Sequence, residues 1–153
     1  MRKTFLTGFL LLLFPIFSLA FLIEDLYFPQ VKGDFVLGPG KTEIWLNPGE
    51  KAVREISVTN RLGRTTTFKV EVQDFIGSRD PKEIILWSEE KTPYSLKDFL
   101  KPEIEEFTLS HGQKITFSVE ISIPPGTSPG GYYGAVLVSA LPKERRRRRK
   151  TQS

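Results

Sequence analysis

The chain has 153 residues, of which 39% are hydrophobic and none is cysteine, and its formal net charge is +4. A chain of this length supports one domain with a core of its own. The absence of cysteine excludes a disulfide framework, a thiol nucleophile and a cysteine metal site. Stability must therefore come from packing, which suits a bacterial envelope domain better than a small eukaryotic secreted one.

The positive net charge comes from the two ends of the chain. Eight of the 22 Lys and Arg residues lie there, namely Arg2, Lys3 and the run 145–150. The other 14 basic residues are outnumbered by 18 acidic ones, so the rest of the chain carries a net charge of about −4. The central domain therefore lacks a general basic surface, and no nucleic-acid partner is expected.

The first 23 residues have the pattern of an export signal. Arg2 and Lys3 form the charged region, residues 5–17 form the apolar region, and Ser18-Leu19-Ala20 is a small-x-small cleavage site. We expect cleavage after Ala20. The alternative is an uncleaved membrane anchor, because residues 4–23 are just long enough to span a bilayer. Both interpretations predict an exported protein of the cell envelope, which is periplasmic, secreted or membrane-anchored.

Residues 24–40 have the character of an extended lead-in, with a short edge strand at 34–37 before the turn Gly38-Pro39-Gly40. From residue 41 to residue 141 the sequence predicts a β-sandwich. Its first strand is predicted at 41–46 and is closed by Asn47-Pro48-Gly49. Pro followed by Gly predicts a type II turn, because Gly supplies the positive φ that the third position needs.

Period-two alternation predicts the central strands. Segments 53–60 and 66–75, joined by a hairpin turn at 61–64, place apolar residues on one face and polar residues on the other. Shorter strands are predicted at 83–88 and 104–109. The longest alternation runs through Ile115, Phe117, Val119, Ile121 and Ile123. Each pattern is typical of a strand with one face on a core and one in water.

One short helix is predicted at residues 95–100. Ser95 is suited to cap it, Asp98 favours the positive end of its dipole, and Pro102 ends it. We expect this segment to carry the chain from one sheet to the other.

Two turns have a similar sequence. Pro48-Gly49-Glu50-Lys51 and His111-Gly112-Gln113-Lys114 each precede an alternating strand. This similarity predicts equivalent turns at one end of the sandwich.

The last predicted strand follows a turn dense in Pro and Gly at 124–131. Residues 132–141 are apolar on both parities, which predicts a strand covered on both faces and running through the core. With about seven short strands and one brief helix, the sequence predicts an all-β fold, an immunoglobulin-like antiparallel β-sandwich.

Three stretches carry a family resemblance. Residues 46–50 with 58–60 resemble the opening of many bacterial extracytoplasmic immunoglobulin-like domains, and residues 107–115 are similar to the later half of the periplasmic pilus-chaperone N-terminal domain. The segment 123–134 resembles the last strands of the WxL-interacting surface proteins of Gram-positive bacteria. The resemblance implies an immunoglobulin-like sandwich in the cell envelope. The second domain and the basic cleft anchor of pilus chaperones are not assignable in this chain.

No catalytic residue, cofactor site or metal site is predicted. The only histidine, His111, lies between Ser110 and Gly112, which indicates a solvent-exposed turn residue and not a catalytic base. The acidic groups at 89–90 and 103–106 lack a calcium-loop pattern. They are typical of solvated faces and of charges that discourage edge-to-edge strand pairing.

Aromatic side chains are the candidate interaction residues. Trp45, Trp87, Tyr132 and Tyr133 could stack on sugars or anchor a protein interface, where Trp and Tyr are enriched. The alternative is that most of these rings fill the core of the sandwich.

The final segment, 142–153, is predicted to be a basic disordered tail that includes Arg145 to Lys150. Because the sandwich ends abruptly before it, we hypothesise that the chain is a truncated or frame-shifted form of a longer surface protein. The predicted function is a non-catalytic binding or structural module whose partner is another envelope protein or the cell wall. The alternatives are a glycan-binding module that uses the aromatic residues and a chaperone-like domain that captures a strand. An envelope hydrolase has the least support.

Overall fold

The computed structural model describes residues 21–27, 30–77, 84–86 and 93–142, without the side chains of 75–77 and 84–86. The predicted leader up to Ala20, Trp87 and the tail from residue 143 lie outside the described residues. Among the described residues, no helix is long and apolar enough to cross a membrane.

Ten strands make up the regular structure of the described chain. They are β1 (Leu22–Asp25), β2 (Phe35–Gly38), β3 (Lys51–Asn60), β4 (Thr66–Gln73), β5 (Phe75–Gly77), β6 (Ile84–Leu86), β7 (Leu100–Pro102), β8 (Glu106–Leu109), β9 (Gln113–Ser122) and β10 (Ala135–Ala140). A single 3₁₀ turn, Lys97–Phe99, precedes β7.

The strands form two main antiparallel sheets. In the five-stranded sheet the order is β1-β9-β3-β2, and β7 pairs with β9 on the same side as β1. In the three-stranded sheet the order is β10-β4-β8, while β5 and β6 form a separate two-stranded ladder. The predicted all-β antiparallel architecture is confirmed.

A row of phenylalanine rings joins the two sheets. Phe68 on β4 lies 5.3 Å from Phe35 on β2 and 5.4 Å from Phe107 on β8, measured between ring centroids. Phe107 in turn lies 5.9 Å from Phe117 on β9. Buried rings of this size dominate the burial of apolar surface in a small core. Within the described part of the chain, the buried apolar residues are Val58, Phe68, Val70, Phe107, Leu109, Ile115, Phe117, Val119 and Ile121.

The alternation in β3, β4 and β9 is confirmed by this core. In β9, the odd-numbered residues from Ile115 to Ile121 are buried and the residues between them are half-buried. The edge strand predicted before Gly38 is confirmed as β2.

The sandwich begins earlier than predicted. Leu22 and Ile23 were included in the predicted leader or anchor, but they lie in β1 and pair with Thr116 and Ile115. The segment 41–46, predicted as the first strand, is not part of any ladder. An alternating pattern shows which side chains are apolar, but a strand also needs a neighbour for its backbone groups, and the pattern cannot supply that neighbour.

The predicted helix at 95–100 is wrong, because only the 3₁₀ turn forms. The Ser95 hydroxyl accepts a hydrogen bond from the Lys97 N–H (3.1 Å) and donates one to the buried carboxylate of Asp74. Leu100 already pairs with Ile121 as the start of β7. A six-residue helix has little stability of its own, so these tertiary contacts determine the conformation. The segment leads into β7 of the five-stranded sheet, and the strand before it in the described chain is β6 of the two-stranded ladder.

The last strand is also different from the prediction. β10 is an edge strand of the three-stranded sheet, and none of its six residues is fully buried. Only Val136, Val138 and Ala140 pack against the core cluster, whereas Ser139 is exposed. The strand therefore does not run through the core and is not covered on both faces.

The two similar turns lie at opposite ends of the sandwich. Because β3 and β9 are antiparallel, Lys51 at the start of β3 pairs with Ser122 at the end of β9, and Thr59 pairs with Lys114. The predicted location at one end is therefore wrong.

The local structures of the two turns are nevertheless equivalent. The Glu50 N–H donates to the Asn47 carbonyl (3.0 Å) and the Gln113 N–H donates to the Ser110 carbonyl (3.1 Å). In return, a side-chain oxygen of Glu50 accepts from the Asn47 N–H, and one of Gln113 accepts from the Ser110 N–H, both at 2.8 Å. The glycine of each turn has a positive φ, 89° and 84°. A glycine followed by Glu or Gln therefore closes the same turn in both places.

Candidate binding edge

Two hydrogen bonds establish which backbone groups of β10 face outward. The Leu141 N–H donates to the Thr67 carbonyl, and the Val70 N–H donates to the Glu105 carbonyl, both at 2.8 Å. Hydrogen-bonding direction alternates along an antiparallel strand. The odd-numbered residues of β4 therefore bond to β10 and the even-numbered ones to β8. On β10, residues 135, 137 and 139 bond to β4, so the N–H and C=O groups of residues 136, 138 and 140 point away from the sheet.

This outer side of β10 is open within the described part of the chain. Among the described residues, no strand pairs with it, and no hydrogen bond reaches the outward backbone groups of Val136, Val138 and Ala140. The side chains of the same three residues pack against the core, which holds their backbone in place. The edge is therefore a preformed row of donors and acceptors.

The other edge strands of the two main sheets are blunted or short. β8 carries the exposed Glu106, β7 contains Lys101 and Pro102, and β1 contains Glu24 and Asp25. Charges and proline on an edge strand discourage the addition of another strand. β2 has no charge but is only four residues long. β10 has six residues without a charge or a proline.

Lys69 on β4 lies between the two edges of the three-stranded sheet. It pairs with Glu106 on β8 on one side and with Ser139 on β10 on the other. Its ammonium group donates to the Glu71 carboxylate (2.8 Å). The pKa of Lys69 is above its ordinary value because of this hydrogen bond and the Glu71 charge, with smaller contributions from Glu106 and Glu105. The charge of Lys69 is thus compensated without any group on β10.

Tyr132 and Tyr133 immediately precede this edge and differ in environment. The half-buried Tyr132 donates its hydroxyl to the Ser128 carbonyl (2.9 Å), and its ring lies 6.2 Å from that of Phe99. Tyr132 therefore holds the loop. The ring of Tyr133 is 56% exposed, while its backbone bonds to Tyr94 and Leu96 at 2.8 and 2.7 Å.

Gly134 lets the chain pass close to the residues before β7. A Cβ atom at this position would lie 2.9 Å from the Leu96 Cβ and 3.0 Å from the Leu100 Cδ1. This close approach sets the point at which β10 starts.

Trp45 is 89% exposed and lies on the segment 41–46, which connects β2 to the turn before β3. At the start of that segment, the Lys41 ammonium lies 2.5 Å from the Glu43 carboxylate. The pKa of Lys41 is raised mainly by this contact, with a small contribution from the nearby Tyr133.

A shallow cleft of about 480 Å³ lies between β4 and β7. Its charged groups are Lys69, Glu71, Lys101 and Glu105. Among the described residues, no group of three or more His, Asp or Glu side chains is placed to hold a metal ion.

Sequence reasoning missed the buried polar residues that connect the strands. Asn60 is fully buried, and its amide nitrogen donates to the Arg64 and Leu109 carbonyls, both at 2.8 Å. Its side-chain oxygen accepts from the Leu62 N–H (2.9 Å). In the sequence it is one polar residue at a strand end, and no pattern marks it as buried.

His111 lies in a turn, as predicted, but it is half-buried and not exposed. Its Nδ1 accepts a hydrogen bond from the Gly63 N–H (3.2 Å), which connects the turn before β9 to the turn before β4. Burial of this kind depends on two turns meeting, which the local sequence does not show.

Comparisons with protein-family models, with curated proteins and with solved structures find no match to this chain. The candidate edge therefore rests on geometry and chemistry alone.

Proposed function

We propose that this protein is a non-catalytic binding module of the cell envelope that accepts an extended segment of another envelope protein as an added strand on β10. The observation that supports this is the open six-residue edge, which is free of charge and proline. Strand addition is a common mode of peptide recognition, in which main-chain hydrogen bonds supply affinity and alternate side chains supply specificity.

The open edge offers enough hydrogen bonds for modest affinity. The three outward residues, Val136, Val138 and Ala140, present three N–H and three C=O groups. Each intermolecular hydrogen bond contributes about 0.5–1.5 kcal/mol net. Because β10 is already held by β4 and by its core-facing side chains, β10 itself loses little conformational entropy on binding.

The chemistry of the edge favours an uncharged partner strand. The side chains on the face of β10 that points away from the core are those of Ala135, Leu137 and Ser139. Lys69, which faces Ser139 on the neighbouring strand, is already paired with Glu71. A charged residue in the partner strand would lose hydration at the edge without gaining an ion pair. A β-prone segment of small and β-branched residues fits best.

The envelope location rests on the sequence. The export pattern of residues 1–23 and the resemblance to extracytoplasmic immunoglobulin-like domains support it. Cleavage after Ala20 and retention of residues 4–23 as an anchor both leave the β10 edge outside the cytoplasm.

A peptide probe tests the proposal directly. The probe is a synthetic peptide with the sequence of residues 134–141 and two added lysines at each end for solubility. We expect the amides of Val136, Val138 and Ala140 to exchange rapidly with solvent in the free protein, because they point outward. With the peptide bound, amide exchange measured by NMR should slow by about tenfold or more, since each new hydrogen bond must open first.

Matched variants give this experiment its controls. Ser139→Glu places a charge on the β10 edge without touching the core, and we expect it to weaken peptide binding. Glu106→Gln on β8 should leave binding to β10 unchanged. Unaltered exchange of the three amides at millimolar peptide, or equal slowing in Ser139→Glu, would argue against strand addition.

A second candidate function is binding of cell-wall glycan, and the exposure of Trp45 favours it. Co-sedimentation with insoluble peptidoglycan should then be lost in Trp45→Ala and kept in Tyr27→Ala, which removes an equally exposed ring (92%) elsewhere. Trp87→Ala tests the remaining tryptophan. If the wild-type protein is not retained, this candidate is rejected.

A further inference from the structure

β1 begins at Leu22, close to the end of β7 along β9. β1 and β7 share one side of β9, since Leu22 pairs with Thr116 and Lys101 pairs with Glu120. Between these two pairs lies Ser118. The Leu26 N–H donates to the Gly112 carbonyl (2.8 Å), which shows that the even-numbered residues of β9 direct their backbone groups toward β1 and β7.

Glu103 satisfies both backbone groups of Ser118. Its N–H donates to the Ser118 carbonyl (2.9 Å), and its side-chain Oε2 accepts from the Ser118 N–H (3.0 Å). If β1 were longer, the residue before Phe21 would be the partner of Ser118. The Glu103 carboxylate therefore takes the position of that residue's carbonyl oxygen, and β1 cannot be extended along β9 past Phe21.

The carboxylates around this point outnumber the cations. A shallow cleft of about 290 Å³ is lined there by Leu22, Glu24, Glu55, Lys114, Thr116, Phe117 and Ser118. Lys114 is 3.5 Å from Glu24, and Lys51 is 3.1 Å from Glu120 on the adjoining strands. Glu55, which pairs with Ser118, and Glu103 have no ion-pair partner in the described part of the chain.

We infer that the Glu103 carboxylate, beside this cleft, binds the α-ammonium group of Phe21, which forms when the leader is removed after Ala20. The inference rests on the proposed export of the protein. A leader peptidase adds water across the Ala20–Phe21 peptide bond, so that Ala20 departs with a carboxylate and Phe21 keeps the nitrogen as an ammonium group. By the register of β1, Phe21 faces Phe117, and its nitrogen comes just before that position. We expect this nitrogen within about one residue spacing, ~3.4 Å, of the Glu103 carboxylate.

The site makes the processed chain different from the unprocessed one. In the uncleaved chain the Phe21 nitrogen is a neutral amide and gains nothing from the two carboxylates. After cleavage, a charge-assisted contact to Glu103 holds the first residue of β1 in place. Removal of the leader thus adds an ionic contact that stabilises the start of β1.

The contact predicts a pH dependence with a definite sign. Glu103 and Glu55 raise the pKa of the ammonium group in the folded state, whereas Lys114 and Lys101 act weakly against them. A raised pKa means that the added stability is present below the ordinary value of about 7.7–8.0 and is lost as the pH rises through the folded-state value.

The test compares three forms of the chain from Phe21 to Ser153, released from an N-terminal fusion by a protease. This form contains every described strand, since β1 starts at Leu22. The forms are the wild type, Glu103→Gln, which still accepts from the Ser118 N–H, and a chain with one alanine added before Phe21. The measurement is the rate at which the α-amine is acylated near pH 7.

We expect the wild-type amine to react about threefold more slowly than the other two, which corresponds to a pKa raised by about half a unit. Equal rates in all three forms would overturn the inference. If Glu103→Gln fails to fold, the alanine-extended chain alone decides.

The mass of the product exported from cells tests a separate point. A product that starts at Phe21 supports the proposed processing, and an uncleaved product contradicts it. Neither result depends on peptide binding to β10, so failure of one proposal is distinguishable from failure of the other.

Discussion

The two edges of the three-stranded sheet differ in one residue type at equivalent positions. β8 and β10 both pair with β4, and Lys69 faces Glu106 on one side and Ser139 on the other. Both edges direct backbone groups outward with the same periodicity. On β8 a carboxylate stands beside those groups, while on β10 no charged residue is present. Since both edges have the same hydrogen-bonding geometry, the proposed preference for β10 rests on its lack of charge and on its length, six residues against four.

The largest expected effect comes from disrupting the strand that the two edges share. Phe68→Ala removes a fully buried ring that contacts Phe35 and Phe107. We expect it to lower the free energy of unfolding by about 3–5 kcal/mol, because the cavity cannot collapse between two sheets. Denaturant unfolding measures this. The neighbouring Thr67→Ala should have a much smaller effect, and a similar loss there would contradict the explanation.

A second change should affect β10 and leave β8 intact. Gly134→Ala places a Cβ 2.9 Å from Leu96, so the start of β10 must shift. We expect a loss of about 1–3 kcal/mol, as is typical of overpacking. Hydrogen exchange should increase in β10 and stay unchanged in β8. Gly130→Ala is the matched control, since nothing lies within 4 Å of its position. Equal losses in both variants would show that crowding is not the cause.

The third prediction removes the difference between the two edges. Glu106→Ser should open β8 to strand addition, so that the peptide probe also slows amide exchange at positions 106 and 108. Stability should change by no more than about 0.5 kcal/mol, because the residue is exposed. If β8 still binds no peptide, the charge of Glu106 is not what blocks that edge.

The smallest effect concerns the two equivalent turns, which repeat the contrast between a charged and an uncharged residue. The pKa of Glu50 is lowered by hydrogen bonds from the side chain and the backbone of Asn47. The stability that this carboxylate contributes is therefore present above its ordinary pKa and is lost as the pH falls through the lowered value.

Thermal unfolding measured between pH 5 and pH 3 checks this loss of stability. The range is chosen because ordinary Glu side chains titrate at about 4.3. Glu50→Gln should resemble the uncharged turn at Gln113 and show a flatter pH dependence than the wild type. An unchanged slope would mean that the Glu50 contact does not contribute. Gln113→Glu should add a pH dependence of the same sign.

Part of the candidate site was accessible from the sequence. Of the candidate interaction residues, Trp45 and Tyr133 are exposed, whereas the half-buried Tyr132 bonds to the loop before β10. Their role in binding stays a prediction. The open edge was not predicted at its true place, because residues 132–141 are apolar on both parities. That composition is shared by central strands and by edges that accept a strand. The sequence showed Glu103 only as part of an acidic segment. Its hydrogen bonds to Ser118 could not be predicted, because the two residues are 15 positions apart and meet only in the folded chain.

The sequence by itself determined the strands whose side chains alternate, namely β3, β4 and β9, and it determined the two turns that close through Glu50 and Gln113. These features depend on interactions within a few residues. Tertiary structure decided which strands became neighbours, which ends of the sheets the turns occupy, and that residues 95–100 form no helix. Backbone hydrogen bonds between distant segments decide these features, and every strand offers the same donors and acceptors. Only the packing of the whole core around Phe68 selects among the pairings.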